Sequence, residues 1–155
     1  MTGQRPVVPI EILLVEDDPG NVLLTQEALS ENKYPITIHD VADGVAAMAF
    51  LHRMPPYANA VRPDLVLLDL NLPKKDGRAV LAEAKGDVDL QTIPIVVFST
   101  SRSMQDIARS YELGANCYVS KPGTLSEYFS VMQSIEAFWF GSASLPEDEK
   151  QKKGK

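Results

Sequence analysis

The chain has 155 residues, 45% of them hydrophobic, which suits one domain whose core needs no disulfide or structural metal. The formal net charge of −6 argues against a nucleic-acid-binding surface, and the single cysteine, Cys117, excludes an internal disulfide and a multi-cysteine metal site. No apolar run approaches the roughly 20 residues that span a bilayer and the N-terminus lacks an export segment, so a cytoplasmic protein is expected.

Short apolar runs alternate with amphipathic segments along the chain. Strands are predicted over residues 10–15, 36–41, 65–68, 93–98 and 115–119, and helices from 19 to before 32 and over 44–51, 77–85, 104–113 and 125–140. Asp18-Pro19 and Asp43-Gly44 mark two helix starts, and Gly114 marks a helix end. Residues 1–9 are predicted to be a loose arm, 10–140 the domain and 141–155 a polar tail.

Five strands that alternate with five helices indicate an α/β fold with a parallel sheet and right-handed crossovers. In such sheets, ligands bind beyond the carboxyl ends of the strands, near the point where the strand order reverses. Several polar residues of this chain directly follow, or end, an apolar run. The sequence therefore predicts a binding site at that edge of the sheet.

Acidic residues dominate this edge. Glu16 and Asp17 follow Val15, and Asp69 follows the most apolar run of the chain. Converging carboxylates repel one another, so a cation is expected between them, and oxygen ligands of this kind suit Mg²⁺. The simpler alternative is that the acids are helix caps or solvated loop residues, and Asp18 is expected to be such a cap.

The remaining polar residues suit a phosphoryl group. Asp69 could be a metal ligand, a general base or a nucleophile that forms an acyl phosphate. Ser99 could donate to a phosphoryl oxygen, although a capping hydroxyl is an equally good interpretation and Thr100 and Ser101 are adjacent. Lys121 offers a single-point cation for phosphate, although a surface lysine is the simpler interpretation of that residue alone.

Taken in order, these residues resemble the receiver domains of two-component response regulators over about residues 10–140. The matching residues are Glu16-Asp17, the D-x-N-x-P-x-x-x-G loop from Asp69 to Gly77, Ser99 five residues after Pro94, Tyr118, and Lys121-Pro122. The resemblance implies a flavodoxin-like, doubly wound five-stranded sheet in the order 2-1-3-4-5. It also implies a cis peptide bond at Lys121-Pro122.

The resemblance also assigns roles to individual residues. Asp69 is implied as the phosphorylation site, with Ser99 and Lys121 holding the phosphoryl oxygens. Asp17, Asp69 and the backbone carbonyl of Asn71 are implied as direct Mg²⁺ ligands, with Glu16 acting through water. Thr100 and Asn71 occupy positions that control access to the phosphorylation site.

The implied switch begins when Ser99 moves toward the phosphoryl group, which adds charge and acceptor oxygens. Tyr118 then rotates inward, and the face between the fourth strand and the fifth helix changes its packing. One residue departs from the pattern: Gly123 follows Lys121-Pro122 where many receivers carry Phe. That departure puts the usual packing of the signalling face in doubt.

The last helix and the tail resemble one group within this family. Ile135 to Phe140, Leu145-Pro146 and Asn116-Cys117-Tyr118 are similar to the small response regulators paired with bacterial phytochromes. On a helical wheel, Leu125, Tyr128, Phe129, Met132, Ile135 and Trp139 share one side, and Val131 and Phe138 extend the apolar arc to about 200°, against roughly 100° for a one-sided helix. We therefore expect a homodimer through the fifth helix.

The expected function is a stand-alone phosphorylated relay whose partner is a sensor histidine kinase, for instance a phytochrome, without nucleic-acid or membrane binding. It is not an enzyme in the usual sense, because the only chemistry expected is self-catalysed phosphorylation and dephosphorylation of Asp69. A phosphatase with an aspartate nucleophile is the second interpretation, but Asn71 stands where such enzymes carry an acidic residue. A phosphorylation-independent interaction module with a relict acidic pocket is the third.

Overall fold

The computed structural model describes residues 9–30 and 34–146. The strands are β1 (Ile10–Val15), β2 (Ile36–Val41), β3 (Leu65–Leu68), β4 (Ile95–Ser99) and β5 (Cys117–Ser120). The helices are α1 (Pro19–Ser30), α2 (Gly44–Leu51), α3 (Gly77–Gly86), α4 (Met104–Glu112) and α5 (Leu125–Glu136), followed by a π-helix over Ala137–Ser142. Most of the predicted arm (1–8) and of the predicted tail (147–155) lies outside the described residues.

The five strands form one parallel sheet in the order β2-β1-β3-β4-β5, which confirms the predicted topology. The register pairs Val15 with Leu68, Leu68 with Val97 and Ser99 with Ser120. The strands that carry the predicted site residues therefore end close to one another at the same edge. No helix within the described ranges is long and apolar enough to cross a membrane.

Alternate residues of the strands pack into two separate core layers, as the pleat of a strand requires. One layer joins the sheet to α2 and α3, and the other joins it to α1 and α5. The central strand β3 is buried on both faces, which explains why its sequence is continuously apolar. The first layer contains Leu13, Val15, Val66, Leu68 and Val97, whereas the second contains Ile12, Leu14, Leu65, Leu67 and Phe98.

β4 and β5 each begin two residues later and end one residue later than predicted. They begin late because the ladder starts only after Pro94 and Asn116. Pro94 has no backbone N–H to donate, and its carbonyl accepts from Val66 at 3.0 Å before β4 begins. The Asn116 side chain accepts from the backbone N–H of Ile95 at 2.9 Å, and β5 starts at the next residue, Cys117. Buried residues can thus precede a strand without belonging to it.

The predicted fifth helix, 125–140, is wrong at its C-terminal end, where α5 stops at Glu136 and the wider π-helix follows. The backbone N–H of Ala143 donates to the carbonyl of Phe138 at 2.7 Å, five residues back. The wider turns keep Trp139 and Phe140 packed against the second core layer and leave Phe138 exposed. An aromatic run has no 3.6-residue periodicity that could reveal this change.

Leu125 is also misplaced by the helical wheel, because it is exposed rather than buried. It is the first residue of α5, directly after the capping hydroxyl of Thr124, which accepts from the backbone N–H of Glu127. A wheel assumes that every position on one side reaches the core, whereas the first turn of this helix extends past the core layer. Tyr128, Met132 and Ile135 are buried as predicted.

A pair of methionines tests the packing of α5. Met132 is fully buried in the second core layer, so Met132→Ala should lower the free energy of unfolding by about 2–5 kcal/mol. Met104 is 77% exposed at the start of α4, so Met104→Ala should change it by less than about 0.5 kcal/mol. Urea denaturation followed by circular dichroism measures both, and equal effects would contradict the observed packing.

Candidate functional site

The acids predicted to form one site do come together. Glu16 and Asp17 follow β1, Asp69 follows β3, and these strands are direct neighbours in the sheet. One carboxylate oxygen from each of the three side chains lies within 4.8 Å of the others. Glu16 is buried, Asp69 is half-buried and Asp17 is exposed, so the cluster opens to solvent on one side.

Lys121 lies inside this cluster rather than at the surface. Its Nζ donates to Glu16 Oε1 at 2.5 Å and to Asp69 Oδ2 at 3.3 Å, and it lies 5.7 Å from the centre of the Phe98 ring. Only 4% of the Lys121 side chain is exposed. The ammonium therefore links β5 to the acids of β1 and β3, and the alternative of a solvated surface lysine is wrong.

Burial and charge act in opposite directions on these groups. Burial alone would lower the pKa of Lys121, but the hydrogen bond to Glu16 and the charges of Asp69 and Glu16 raise it above its ordinary value. The ammonium form is therefore favoured. Burial is the largest influence on Glu16 and raises its pKa, while the Lys121 hydrogen bond and the backbone N–H of Asp18 oppose that rise.

The donor set fits a hard divalent cation. Three carboxylates face a single ammonium, so the cluster has an excess of negative charge when all its groups are ionised. Every candidate ligand atom is an oxygen, as Mg²⁺ and related cations prefer. Glu16 is held by Lys121, whereas Asp17 is exposed and free to orient toward an ion. Glu16, Asp17 and Asp69 could therefore hold a divalent metal together.

The loop after Asp69 folds back tightly on that residue. The backbone N–H of Asn71 donates to Asp69 Oδ1 at 3.4 Å, and the N–H of Gly77 donates to the carbonyl of Leu70 at 2.8 Å. A Cβ on Gly77 would lie 2.2 Å from the backbone oxygen of Asp69. The spacing from Asp69 to Gly77 is thus explained by the close approach of two backbone segments.

Ser99 and Thr100 lie at the end of β4 and differ in exposure. Ser99 is fully buried, its Oγ accepts from the backbone N–H of Ser101 at 3.2 Å, and its carbonyl accepts from the N–H of Lys121 at 2.7 Å. Thr100 is exposed and lines a groove together with Lys121 and Gly123. The Ser99 hydroxyl is therefore shielded from solvent, whereas Thr100 is accessible to it.

Tyr118 is already tied to the loop after β4. Its hydroxyl donates to the carbonyl of Ser101 at 2.8 Å, and its half-buried ring packs against the first core layer. The inward rotation expected of this residue therefore does not start from a fully exposed ring. The expected cis bond at Lys121-Pro122 is also wrong, since the cis bond among the described residues is Pro55-Pro56 and trans is the lower-energy form.

A family model for the response regulator receiver domain matches residues 12–133. The chain belongs to this family. Response regulator Rcp1 of Synechocystis sp. is 49% identical over 138 residues, which cover 89% of this chain and 94% of Rcp1. The match and the described fold agree on the same segment of the chain.

Solved structures support the same assignment of this receiver. The phosphorylated cyanobacterial phytochrome response regulator RcpA is 51% identical, with a TM-score of 0.88 over 90% of this chain and 100% of that one. The Mn²⁺-bound form of Rcp1 is 48% identical, with a TM-score of 0.87 over 90% of this chain and 100% of that one. The flavodoxin-like receiver fold is thereby established for this chain.

Sequence reasoning missed several residues that support the receiver site. Phe98 lies beneath Lys121 and packs edge-on against Tyr128, whose hydroxyl bonds with Thr25 Oγ1 at 2.8 Å. Ser101, Arg78 and Asp106 form a second polar cluster beside β4. The buried Tyr128 was visible as a helical apolar position, but no spacing indicated that its hydroxyl would find Thr25 on α1.

Two glycines of α3 test the close approach of Gly77 to the backbone of Asp69. Gly77→Ala should lower the free energy of unfolding by at least about 1–3 kcal/mol, because the added Cβ collides with the backbone of Asp69. Gly86→Ala, in the same helix, adds a Cβ with nothing within 4 Å and should be neutral or stabilise by up to about 1 kcal/mol. Chemical denaturation measures both, and a neutral Gly77→Ala would contradict the tight loop.

Proposed function

We propose that this receiver accepts a phosphoryl group on Asp69 from a sensor histidine kinase in a Mg²⁺-dependent reaction and relays the signal through its conformation. The observation that carries the proposal is the convergence of Glu16, Asp17, Asp69 and Lys121 at one edge of the sheet. Phosphoryl transfer requires mainly positioning and charge neutralisation, and this cluster supplies both.

The proposed step is a displacement at phosphorus. One carboxylate oxygen of Asp69 forms the new P–O bond while the P–N bond to the donor histidine breaks. The histidine nitrogen keeps the electron pair of that bond, and the ring, which is protonated at its other nitrogen in the donor, leaves as neutral imidazole. Lys121, which already contacts Asp69, neutralises charge on the phosphoryl oxygens, and Ser99 is the hydroxyl that would hold one of them.

The metal assigned to this site is Mg²⁺, with Asp17, Asp69 and the backbone carbonyl of Asn71 as direct ligands and Glu16 acting through water. When bound, the cation neutralises charge that develops on the transferred group. The exposed side of the cluster, at Asp17, is open to ligand exchange. The Mn²⁺-bound form of Rcp1, a close relative, supports a divalent ion here.

We also propose that the chemistry of this chain is confined to its own aspartate, without turnover on an external substrate. Asn71 carries an amide rather than an acid two residues after Asp69, so a phosphatase would lack its proton donor. Thr100 and Asn71 are both exposed beside the site, where they would control the access of water to the acyl phosphate.

Labelling with a small phosphodonor tests the relay. With Mg²⁺, the wild-type chain should acquire one base-labile, hydroxylamine-sensitive phosphoryl group, seen by intact mass as a single added phosphate, whereas Asp69→Asn should acquire none. Removal of Mg²⁺ with a chelator should abolish labelling. Asp89→Asn, which replaces an exposed aspartate outside the acidic cluster, is the matched control and should label like the wild type.

Two other outcomes of the labelling experiment would indicate a different function. Sustained multiple turnover on phosphomonoesters would favour an aspartate-nucleophile phosphatase. A complete absence of label on the wild type, with Mg²⁺ and donor present, would contradict the relay and favour a phosphorylation-independent interaction module.

A phytochrome is the proposed type of sensor. RcpA is described as a cyanobacterial phytochrome response regulator, and the bacteriophytochrome response regulator AtBRR is 40% identical with a TM-score of 0.69. The match to each of these relatives covers 90% of this chain. The similarity to phytochrome response regulators therefore covers most of the chain and supports a sensor of this type.

We propose, in addition, a homodimer through α5 and the π-helix. Phe138 is 55% exposed although it stacks edge-on against Trp139 at 5.2 Å, and Val131 is only half-buried. Leu125 adds a further exposed apolar side chain at the start of α5. An apolar stripe that extends beyond the core-facing side of a helix is best covered by a second copy of the same surface.

Replacement of Phe138 tests the dimer. In equilibrium sedimentation at tens of micromolar, the wild type should be dimeric, and Phe138→Glu should weaken association at least about tenfold. Leu23→Glu places the same charge on an exposed leucine of α1 and should leave association unchanged. A wild type that remains monomeric, with or without a phosphoryl analogue, would overturn the proposed dimer.

A further inference from the structure

Ser101, which follows β4 by two residues, makes hydrogen bonds to Ser99, Tyr118, Asp106 and Ser103. Its backbone N–H donates to Ser99 Oγ at 3.2 Å, and its carbonyl accepts from the hydroxyl of Tyr118 at 2.8 Å. Its own hydroxyl donates to Asp106 Oδ2 at 2.6 Å. The position of this one residue therefore decides whether these contacts can exist.

Asp106 in turn connects this junction to the loop that follows Asp69. Its second oxygen accepts from Arg78 Nη2 at 2.8 Å, and Arg78 Nη1 donates to Asp76 at 3.1 and 3.2 Å. Asp76 ends the phosphoacceptor loop and caps α3 by accepting from the backbone N–H of Arg78 at 2.9 Å. A continuous polar path thus joins α3 to α4 and ends at Ser101.

The charges of this path suit a stable arrangement. The Ser101 hydroxyl and Arg78 hold the pKa of Asp106 below its usual range, and the hydrogen bond to Asp106 raises the pKa of the Arg78 guanidinium. Both side chains are partly exposed, with 31% for Arg78 and 26% for Asp106. Such pairs add little to global stability, but a planar guanidinium between two carboxylates fixes geometry.

We propose that Arg78 and Asp106 are positioning residues that hold Ser101 in the place where it accepts the hydroxyl of Tyr118. The polar path from Asp76 to Ser101 then favours the inward, hydrogen-bonded position of Tyr118 before any phosphoryl group is present. It connects the phosphoacceptor loop with β5 by a route that does not require movement of Ser99. This goes beyond the proposed phosphotransfer and is independent of it.

The position of Tyr118 can be read directly by fluorine NMR. The chain contains five tyrosines, so the protein is labelled with 3-fluorotyrosine and the Tyr118 resonance is assigned with Tyr118→Phe. Amide hydrogen exchange at Ser101 and Ser103 reports on the loop itself, because the N–H of Ser103 donates to Ser101 Oγ at 3.3 Å. Both measurements use the full chain without Mg²⁺ or phosphodonor, so failure of the phosphotransfer proposal does not affect them.

Arg78→Gln and Asp106→Asn should each shift the Tyr118 resonance toward its position in the denatured chain and accelerate exchange at Ser101 and Ser103 about three- to fivefold. Ser101→Ala, which keeps the backbone N–H and carbonyl, should produce the same Tyr118 shift. Arg109→Gln breaks an exposed ion pair with Glu112 on the same helix α4 and should leave both readouts at the wild-type values.

Three results would overturn the proposal. The first is an unchanged Tyr118 resonance in both Arg78→Gln and Asp106→Asn. The second is full additivity when Arg78→Gln is combined with Ser101→Ala, because residues that act through one another are not additive. The third is an equal response to Arg109→Gln, which would show that any loss of charge on this face shifts the Tyr118 resonance.

Discussion

The buried contact of Lys121 with Glu16 and Asp69 is the interaction on which the site depends. It joins the ends of β1, β3 and β5, strands that are not all neighbours in the sheet. Each of these charges would be costly to bury alone, and removal of one partner typically costs about 3–5 kcal/mol because the other remains uncompensated. The parallel register supplies the geometry, since it ends the strands at one edge. The acids thus cluster because the sheet places them there, and the ammonium makes that placement tolerable.

Much of the fold could be predicted because its strands are continuously apolar and its helix ends carry recognisable caps. β1, β2 and β3 begin and end as their sequences indicate, and Asp43 caps α2 as expected. The end of α5 could not be predicted, since three consecutive aromatics have no helical period and the change to a π-helix depends on what each ring packs against. A wheel likewise cannot show that Leu125 lies in a first turn that extends beyond the core.

The candidate site likewise contains residues that could be predicted from the sequence and residues that could not. Its acids could be located because each follows an apolar run directly, so sequence position alone fixes the edge of the sheet. Whether Lys121 is buried or solvated is not a property of its neighbours in sequence, because its partners come from strands more than 50 residues away. The contact between Arg78 and Asp106 could not be predicted for a similar reason: 28 residues separate them, and neither belongs to a recognisable motif. Long-range polar pairs are specified by the folded geometry.

The contacts around Ser99 and Ser101 explain how a local event at Asp69 can reach a distant face. Ser99 contributes its carbonyl to the backbone of Lys121 and its hydroxyl to the backbone of Ser101, so the lysine and the loop after β4 are bonded to the same residue. If the Ser99 hydroxyl turned toward a phosphoryl oxygen, Ser101 would lose its bond to Ser99 and keep those to Tyr118 and Asp106. An element held by several alternative bonds shifts between discrete positions instead of deforming continuously. The loop after β4 is thus held by Ser99 and Tyr118 and, through Asp106, by side chains on α3 and α4.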